Sequence, residues 1–246
     1  MKPDRYFTSP LNLASESLRG IGIPTEGQPE GFSDHSRTSG AVTVHFDNIE
    51  DRLCRFIDES EAIVGCVAWL TSEPVIITLG FKPCQIIVQK EDFLRPDFDA
   101  ARPNWKSRLR RLYETCGSRP DLRIDRTHCP FPLSYMNTNG ETTMDPIRCV
   151  GNHNSSKATA PRSHHKFIVR CSEYETSIGT FLKPEAVWTG SYNFTKNATK
   201  SFENAVVIAD EQIADAYLHE WAQVAALSEP LDWTADWVEP EWRIGS

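Results

Sequence analysis

The 246-residue chain is 39% hydrophobic and 24% charged, enough apolar material for one large domain with a buried core. Its net charge of -8 excludes a surface that grips nucleic acid all over, so any polyanion site must be a local patch. No run approaches the roughly twenty apolar residues of a membrane span, which excludes stable membrane insertion by a helix.

Residues 1–40 are rich in Gly, Pro, Ser and Thr with little periodicity, the composition of a mobile or loosely docked arm. The opening M-K-P-D-R-Y-F-T-S-P lacks the apolar core of a secretory signal. Seven cysteines, an odd number without paired spacing, suit reduced thiols rather than a disulfide framework. Both features imply a cytoplasmic location. The folded domain is expected over 41–228, with a long loop insertion at 126–163 and a Trp-rich tail at 229–246.

Residues 41–46 read as a strand. Asp47 is placed to cap a helix, with Glu50 at the capping-box position and Ile49, Leu53, Phe56 and Ile57 on its apolar face. Residues 62–70 form a nearly continuous apolar run, as in a strand covered on both sides. Ser72 can cap a short helix through Pro74 to Leu79, and 84–89 reads as another buried strand. A helix follows over 104–116 with Trp105, Leu109 and Leu112 on one face, then a short strand at 122–124. The 126–163 segment has little periodicity, with one strand expected inside it at 147–150. An amphipathic helix is expected at 211–227, burying Ile213, Tyr217, Trp221, Val224 and Leu227. Strands alternating with helices in this order indicate an α/β sandwich.

The chemistry concentrates between Arg162 and Asn204. His164 and Lys166 sit two apart before Phe167, Ile168 and Val169; on a strand they share one face and His165 takes the other. Val187, Trp188 and Thr189 form a second strand that stops at Gly190, where Ser191 and Asn193 follow, again two apart. If the two strands are neighbours, an imidazole, an ammonium, a hydroxyl and a carboxamide converge.

H-x-K, then G-S-x-N, then Glu203 opening an apolar strand resembles the motif set of the phospholipase D superfamily, over roughly residues 47 to 227. The fuller family motif is H-x-K-x4-D, and the position five after Lys166 is here Cys171. The resemblance implies an α/β fold with a mixed, mostly parallel sheet sandwiched between helices. It also implies phosphodiester hydrolysis independent of metal or any other cofactor. In that scheme one neutral imidazole attacks phosphorus to form a phosphohistidine. A second, protonated one donates to the leaving oxygen and later activates water. Lys166, Asn193 and Ser191 would neutralise the non-bridging oxygens, and Glu203 would orient a histidine.

The scheme uses two histidines, and the chain has one H-x-K. His45 precedes Phe46 and Asp47, and His128 precedes Cys129 and Pro130, so no second copy exists. Short members of the superfamily pair two chains about a two-fold axis, which implies a homodimer here with the two copies of His164 facing each other. Such single-motif members are usually nucleases, making DNA or RNA the first expected substrate of an endonuclease. A phospholipid phosphodiesterase and a catalytically degenerate nucleic-acid or partner-binding module are the rivals.

Arg102, Lys106, Arg108, Arg110 and Arg111, with no acid among them, form either a phosphate-tracking patch or a solvated helix face. Cys116, His128, Cys129, Cys149 and His153 offer zinc-ligand types but lack the paired spacing of a finger, so ordinary cysteines are expected and no metal is assigned. His165 is expected to pack away from His164. The three tryptophans of the tail either pack on the body or bind a partner.

Overall fold

A computed structural model describes residues 34–89, 104–117, 122–123, 145–151, 163–177 and 179–231, apart from the side chains of 106, 122 and 123. In chain order the strands are β1 Arg37–Ser39, β2 Val42–His45, β3 Ala62–Val67, β4 Cys84–Gln89, β5 Leu122–Arg123, β6 Ile147–Val150, β7 Lys166–Thr176, β8 Gly179–Gly190, β9 Ala205–Ile208 and β10 Glu229–Pro230. The helices are α1 Ile49–Asp58, α2 Glu73–Gly80, α3 Trp105–Tyr113 and α4 Glu211–Ala226. All ten strands belong to one sheet, ordered β1-β2-β9-β8-β7-β3-β4-β6-β10, with β5 pairing beside β8.

The sheet corrects the expectation of mostly parallel strands. Among the described residues, β3–β4, β4–β6 and β5–β8 are parallel, and the other six pairings are antiparallel. The strands that carry the motifs, β7 and β8, run antiparallel as one long ribbon, and β7 also runs antiparallel to β3. Burial on both faces makes a strand read as a continuous apolar run whichever way its neighbour points. Such a run therefore carries no information about direction.

Two apolar layers sandwich the sheet. On one face α1, α2 and α3 cover Ile63, Val67, Ile86, Val88, Ile168 and Trp188. On the other, α4 covers Val64, Cys66, Ile87, Phe167, Val169 and Val187. Alternation along β3, β4 and β7 divides the side chains between the two layers.

Local signals were met unevenly. Ser72 caps α2 as expected, its Oγ accepting the Val75 N–H at 3.4 Å with Pro74 in the first turn. Asp47 does not cap α1. The N-cap is Asn48, in the left-handed region at φ 50° with no side-chain cap bond, and Asp47 instead accepts the Asn48 N–H. Glu50, freed from a capping box, accepts the Ser72 hydroxyl at 2.7 Å. α4 is capped by Asp210 and buries Ala214, Leu218, Trp221, Ala222 and Ala225. The expected face is corrected: Ile213 and Leu227 are 42% and 75% exposed. Three alanines let the helix lie close on the sheet, and Leu218 and Trp221 supply most of the burial, about 1.5–3 kcal/mol for a fully buried large side chain.

The arm expected over 1–40 enters the sheet through β1, which pairs with β2; residues 1–33 lie outside the described residues, as do 232–246 with the tail tryptophans. Of the 126–163 insertion, the described part contains β6 as expected, between β4 and β10.

Candidate active site

The site lies beyond the last residues of β3 and β8 and before the first of β7 and β9. Val67, ending β3, pairs with Lys166, opening β7. The Ala68 N–H then donates to the His165 carbonyl at 2.8 Å, which lays the His164–His165 segment along the chain leaving β3. The Ser163 N–H donates to Oε1 of the buried Gln89 at 2.7 Å, tying the same segment to the end of β4. His164 thus stands just before β7 rather than within it. His165 faces the α4 side, as expected, with Nε2 3.1 Å from Glu220 and its ring against Phe167.

The second half of the site is a turn that needs glycine. Gly190 sits at φ +149°, and a Cβ there would come within 2.4 Å of the Asn204 carbonyl oxygen and 2.8 Å of the Ala205 Cα. That close approach lets the Ser191 N–H donate to the Asn204 carbonyl at 3.1 Å and the Asn204 N–H donate to Ser191 Oγ at 3.0 Å. Tyr192 and Phe194 flank Asn193 and point into the core as buried pegs. The Thr71 and Ser72 N–H groups both donate to the Phe194 carbonyl at 2.8 Å, clamping the turn to the segment after β3. The Tyr192 hydroxyl reaches Glu50 Oε2 at 3.4 Å, the oxygen that Ser72 also uses.

Of the expected site residues, the fold brings two pairs together. Lys166 Nζ lies 3.1 and 3.2 Å from the two ring nitrogens of His164 and donates to its carbonyl at 3.1 Å. Ser191 Oγ donates to Glu203 Oε2 at 2.5 Å. Electrostatics links the pairs: burial pulls the Lys166 pKa below its usual value, and the Glu203 carboxylate opposes that by raising it. The hydrogen bond described for Glu203 therefore goes to Ser191, and its charge acts on Lys166. Asn193 Oδ1 is buried without a partner among the described residues, at a cost of about 1–3 kcal/mol.

Cys171, at the motif position where the family carries Asp, is remote from this chemistry. It is fully buried in the layer under α4, on the opposite face of β7 from Lys166. Burial raises its pKa, so it is a neutral thiol in an apolar setting. No side chain of the site depends on a carboxylate there.

On α3, Arg108 pairs with Glu73 and Arg110 with Glu114 at 2.8 Å, while Arg111 is exposed. Arg102 and the Lys106 side chain lie outside the described residues. Cys116 and Cys149 are buried, whereas His128, Cys129 and His153 lie outside the description; no group of three metal-ligating side chains forms among the described residues.

One site residue went unnoticed in the sequence. Trp69, two residues past β3, packs edge-to-face with the His164 ring at 5.3 Å between centroids and has Lys166 Nζ 5.9 Å from its own centroid. Its position just past the carboxyl end of a buried strand, where sites of α/β sheets open, was the available signal.

Together these groups offer an imidazole, an ammonium, a hydroxyl bound to a carboxylate, and a carboxamide whose N–H2 group can donate. That set can hold an oxyanion such as a phosphodiester and present a nitrogen nucleophile to it.

The chain is 32% identical over 207 residues to the uncharacterized protein L381 of Acanthamoeba polyphaga mimivirus, covering 81% of this chain and 70% of that one. No family model matches. Among solved structures it is similar to Nuc from Salmonella typhimurium, a phospholipase D family member, at 19% identity and a TM-score of 0.42, covering 76% of this chain and 95% of that one. It is also similar to NucT from Helicobacter pylori (11% identity, TM-score 0.47, 77% and 98% covered). A third likeness is to phosphatidylserine synthase of Haemophilus influenzae (12% identity, TM-score 0.39, 89% and 46% covered).

Proposed function

The chain belongs to the same family as the mimivirus protein, and from its own site we propose that it is a phosphodiesterase of the phospholipase D superfamily that cleaves DNA or RNA. The observation that carries the proposal is the contact of the Lys166 ammonium with both nitrogens of the His164 ring, 3.1 and 3.2 Å away. A phosphoryl group placed against that pair meets a nucleophilic nitrogen and a positive charge at one point.

His164 attacks phosphorus, the P–O bond to the leaving group breaks, and a phosphohistidine forms. The partner subunit's His164, protonated, gives its proton to the leaving oxygen and then takes one from the water that hydrolyses the intermediate. Lys166 and Asn193 bind the non-bridging oxygens. Ser191 holds Glu203, whose charge favours the ammonium form of Lys166 while burial disfavours it. The scheme requires no metal and needs a homodimer, because one chain supplies one such histidine. Arg108 and Arg110 are proposed to exchange their carboxylate partners for backbone phosphates along the strand, with Arg102, Lys106 and Arg111 as further phosphate contacts.

The test is cleavage of labelled single- and double-stranded DNA, RNA and cardiolipin in excess EDTA, with His164→Ala beside wild type. Polynucleotide cleavage lost in the variant supports the proposal. Turnover of cardiolipin alone would assign a phospholipid substrate, and equal inertness of both proteins would leave a binding module.

A further inference from the structure

The described tryptophans fall into two kinds. Trp188 and Trp221 are buried at 1% and 0% exposure, and Trp105 packs against the edge of the core. Trp69 belongs to neither apolar cluster and is only partly buried. Among the described residues its ring contacts are the His164 imidazole and the Lys166 ammonium. Part of the indole thus stays in water beside His164 and Lys166.

Its backbone is nonetheless fixed. The next residue, Leu70, bridges to Phe194, and the Leu70 carbonyl accepts the hydroxyl of the buried Tyr113 at 2.7 Å. Trp69 is therefore a large flat surface carried on a fixed backbone at the rim of the His164–Lys166 pair.

Building on the phosphodiesterase reading, we propose that Trp69 is a base-stacking platform that makes this site select single-stranded nucleic acid. A phosphate on Lys166 brings an adjoining nucleoside next to the indole, and a base free of its neighbours can lie on that ring. In a duplex the bases are stacked on one another and offer no face. Every base has a π-face, so the platform confers strand selectivity without sequence preference.

The experiment uses the full chain carrying Trp69, Trp69→Phe or Trp69→Ala. Each receives a labelled single-stranded oligonucleotide, the same strand with abasic positions at its centre, and the duplex. Binding is read by fluorescence anisotropy in a His164→Ala background, and KM is read with His164 intact. Trp69→Ala is expected to weaken binding and raise KM about tenfold more on the base-bearing strand than on the abasic one, with Trp69→Phe close to wild type. Equal losses on the two strands would reduce Trp69 to a prop for His164 and overturn the proposal. So would wild type binding abasic and base-bearing strands alike. A wild type that binds the base-bearing strand better but cuts nothing defeats the phosphodiesterase reading while leaving the stacking role intact.

Discussion

Ser191 donates to Glu203 across 2.5 Å while its own Oγ accepts the Asn204 N–H at 3.0 Å. One hydroxyl thus joins the turn after β8 to the residues that lead into β9. The carboxylate it holds is the charge that acts on Lys166 from across the site.

That link predicts a shifted pH profile. Burial lowers the Lys166 pKa from 10.5, and Glu203 raises it. Activity that needs the ammonium should fall on the alkaline side below pH 10.5. Glu203→Gln keeps an acceptor for Ser191 but removes the charge, so the alkaline limb should move to lower pH, with kcat reduced on the order of 10²-fold. For stability the sign runs the other way. The folded chain gives up this proton more readily than the unfolded chain, so the cost of burying the ammonium is present at neutral pH and lifts as pH rises through the lowered pKa toward 10.5. A pH–rate profile of both proteins checks the first claim; an unmoved limb would break the link between the two residues.

Gly190→Ala should damage both fold and site. The new Cβ meets backbone, the Asn204 carbonyl oxygen at 2.4 Å, and the residue must hold φ +149°. Strain and overpacking each cost roughly 1–3 kcal/mol, so a loss of about 3 kcal/mol or more is expected. That corresponds to a fall in Tm of about 6–12 °C. A thermal melt within 2 °C of wild type, as an approximate bound, would mean that β9 moves aside freely.

What the sequence disclosed follows from what each signal encodes. Ser72 with Pro74 marked α2 because capping is a local act, and the apolar runs marked β3 and β4 because burial is written in composition. The pairing direction of those strands was not legible, since it depends on which segments the connections bring together. The ribbon of β7 and β8 shows this: its outer half carries Ser172, Glu173, Glu175 and Lys183, which give no apolar run to mark a strand, and only the pairing of the two strands makes it one. Glu50 looked like half of a capping box, yet its partners are Ser72 and Tyr192, 22 and 142 residues away. The helical period of α4 was visible, but its small residues won the sheet-facing stripe because close approach buries more than Ile213 could. Of the site, the H-x-K and G-S-x-N residues were legible as spacing. Trp69 was not, because it belongs to no spacing.

The position of Cys171 separates the motif from the site. If the thiol stood in for a missing catalytic carboxylate, Cys171→Asp would raise activity. The side chain instead lies fully buried under α4, where an unpaired carboxylate costs about 3–5 kcal/mol. Cys171→Asp should therefore lower Tm by about 6 °C or more and add no activity. Cys171→Ala should cost only about 1–2 kcal/mol and keep the rate. Thermal melts and the EDTA-resistant cleavage assay on both variants check this, and a faster Cys171→Asp enzyme would return the residue to the mechanism.

A shared site makes a quantitative demand on mixtures. If both imidazoles of a dimer are needed, one from each chain, then a dimer holding a single His164→Ala subunit is as inactive as one holding two. With wild-type and variant chains mixed in equal amounts and allowed to exchange, about one dimer in four keeps both histidines. Activity per total protein should then fall to about a quarter of the all-wild-type value, and it should follow the square of the wild-type fraction as the ratio is varied. Co-expression of differently tagged chains, followed by the cleavage assay across several ratios, reads the curve directly. A straight line through one half at equal mixing would mean that each chain works alone, and the second proton transfer would need another donor within the protomer.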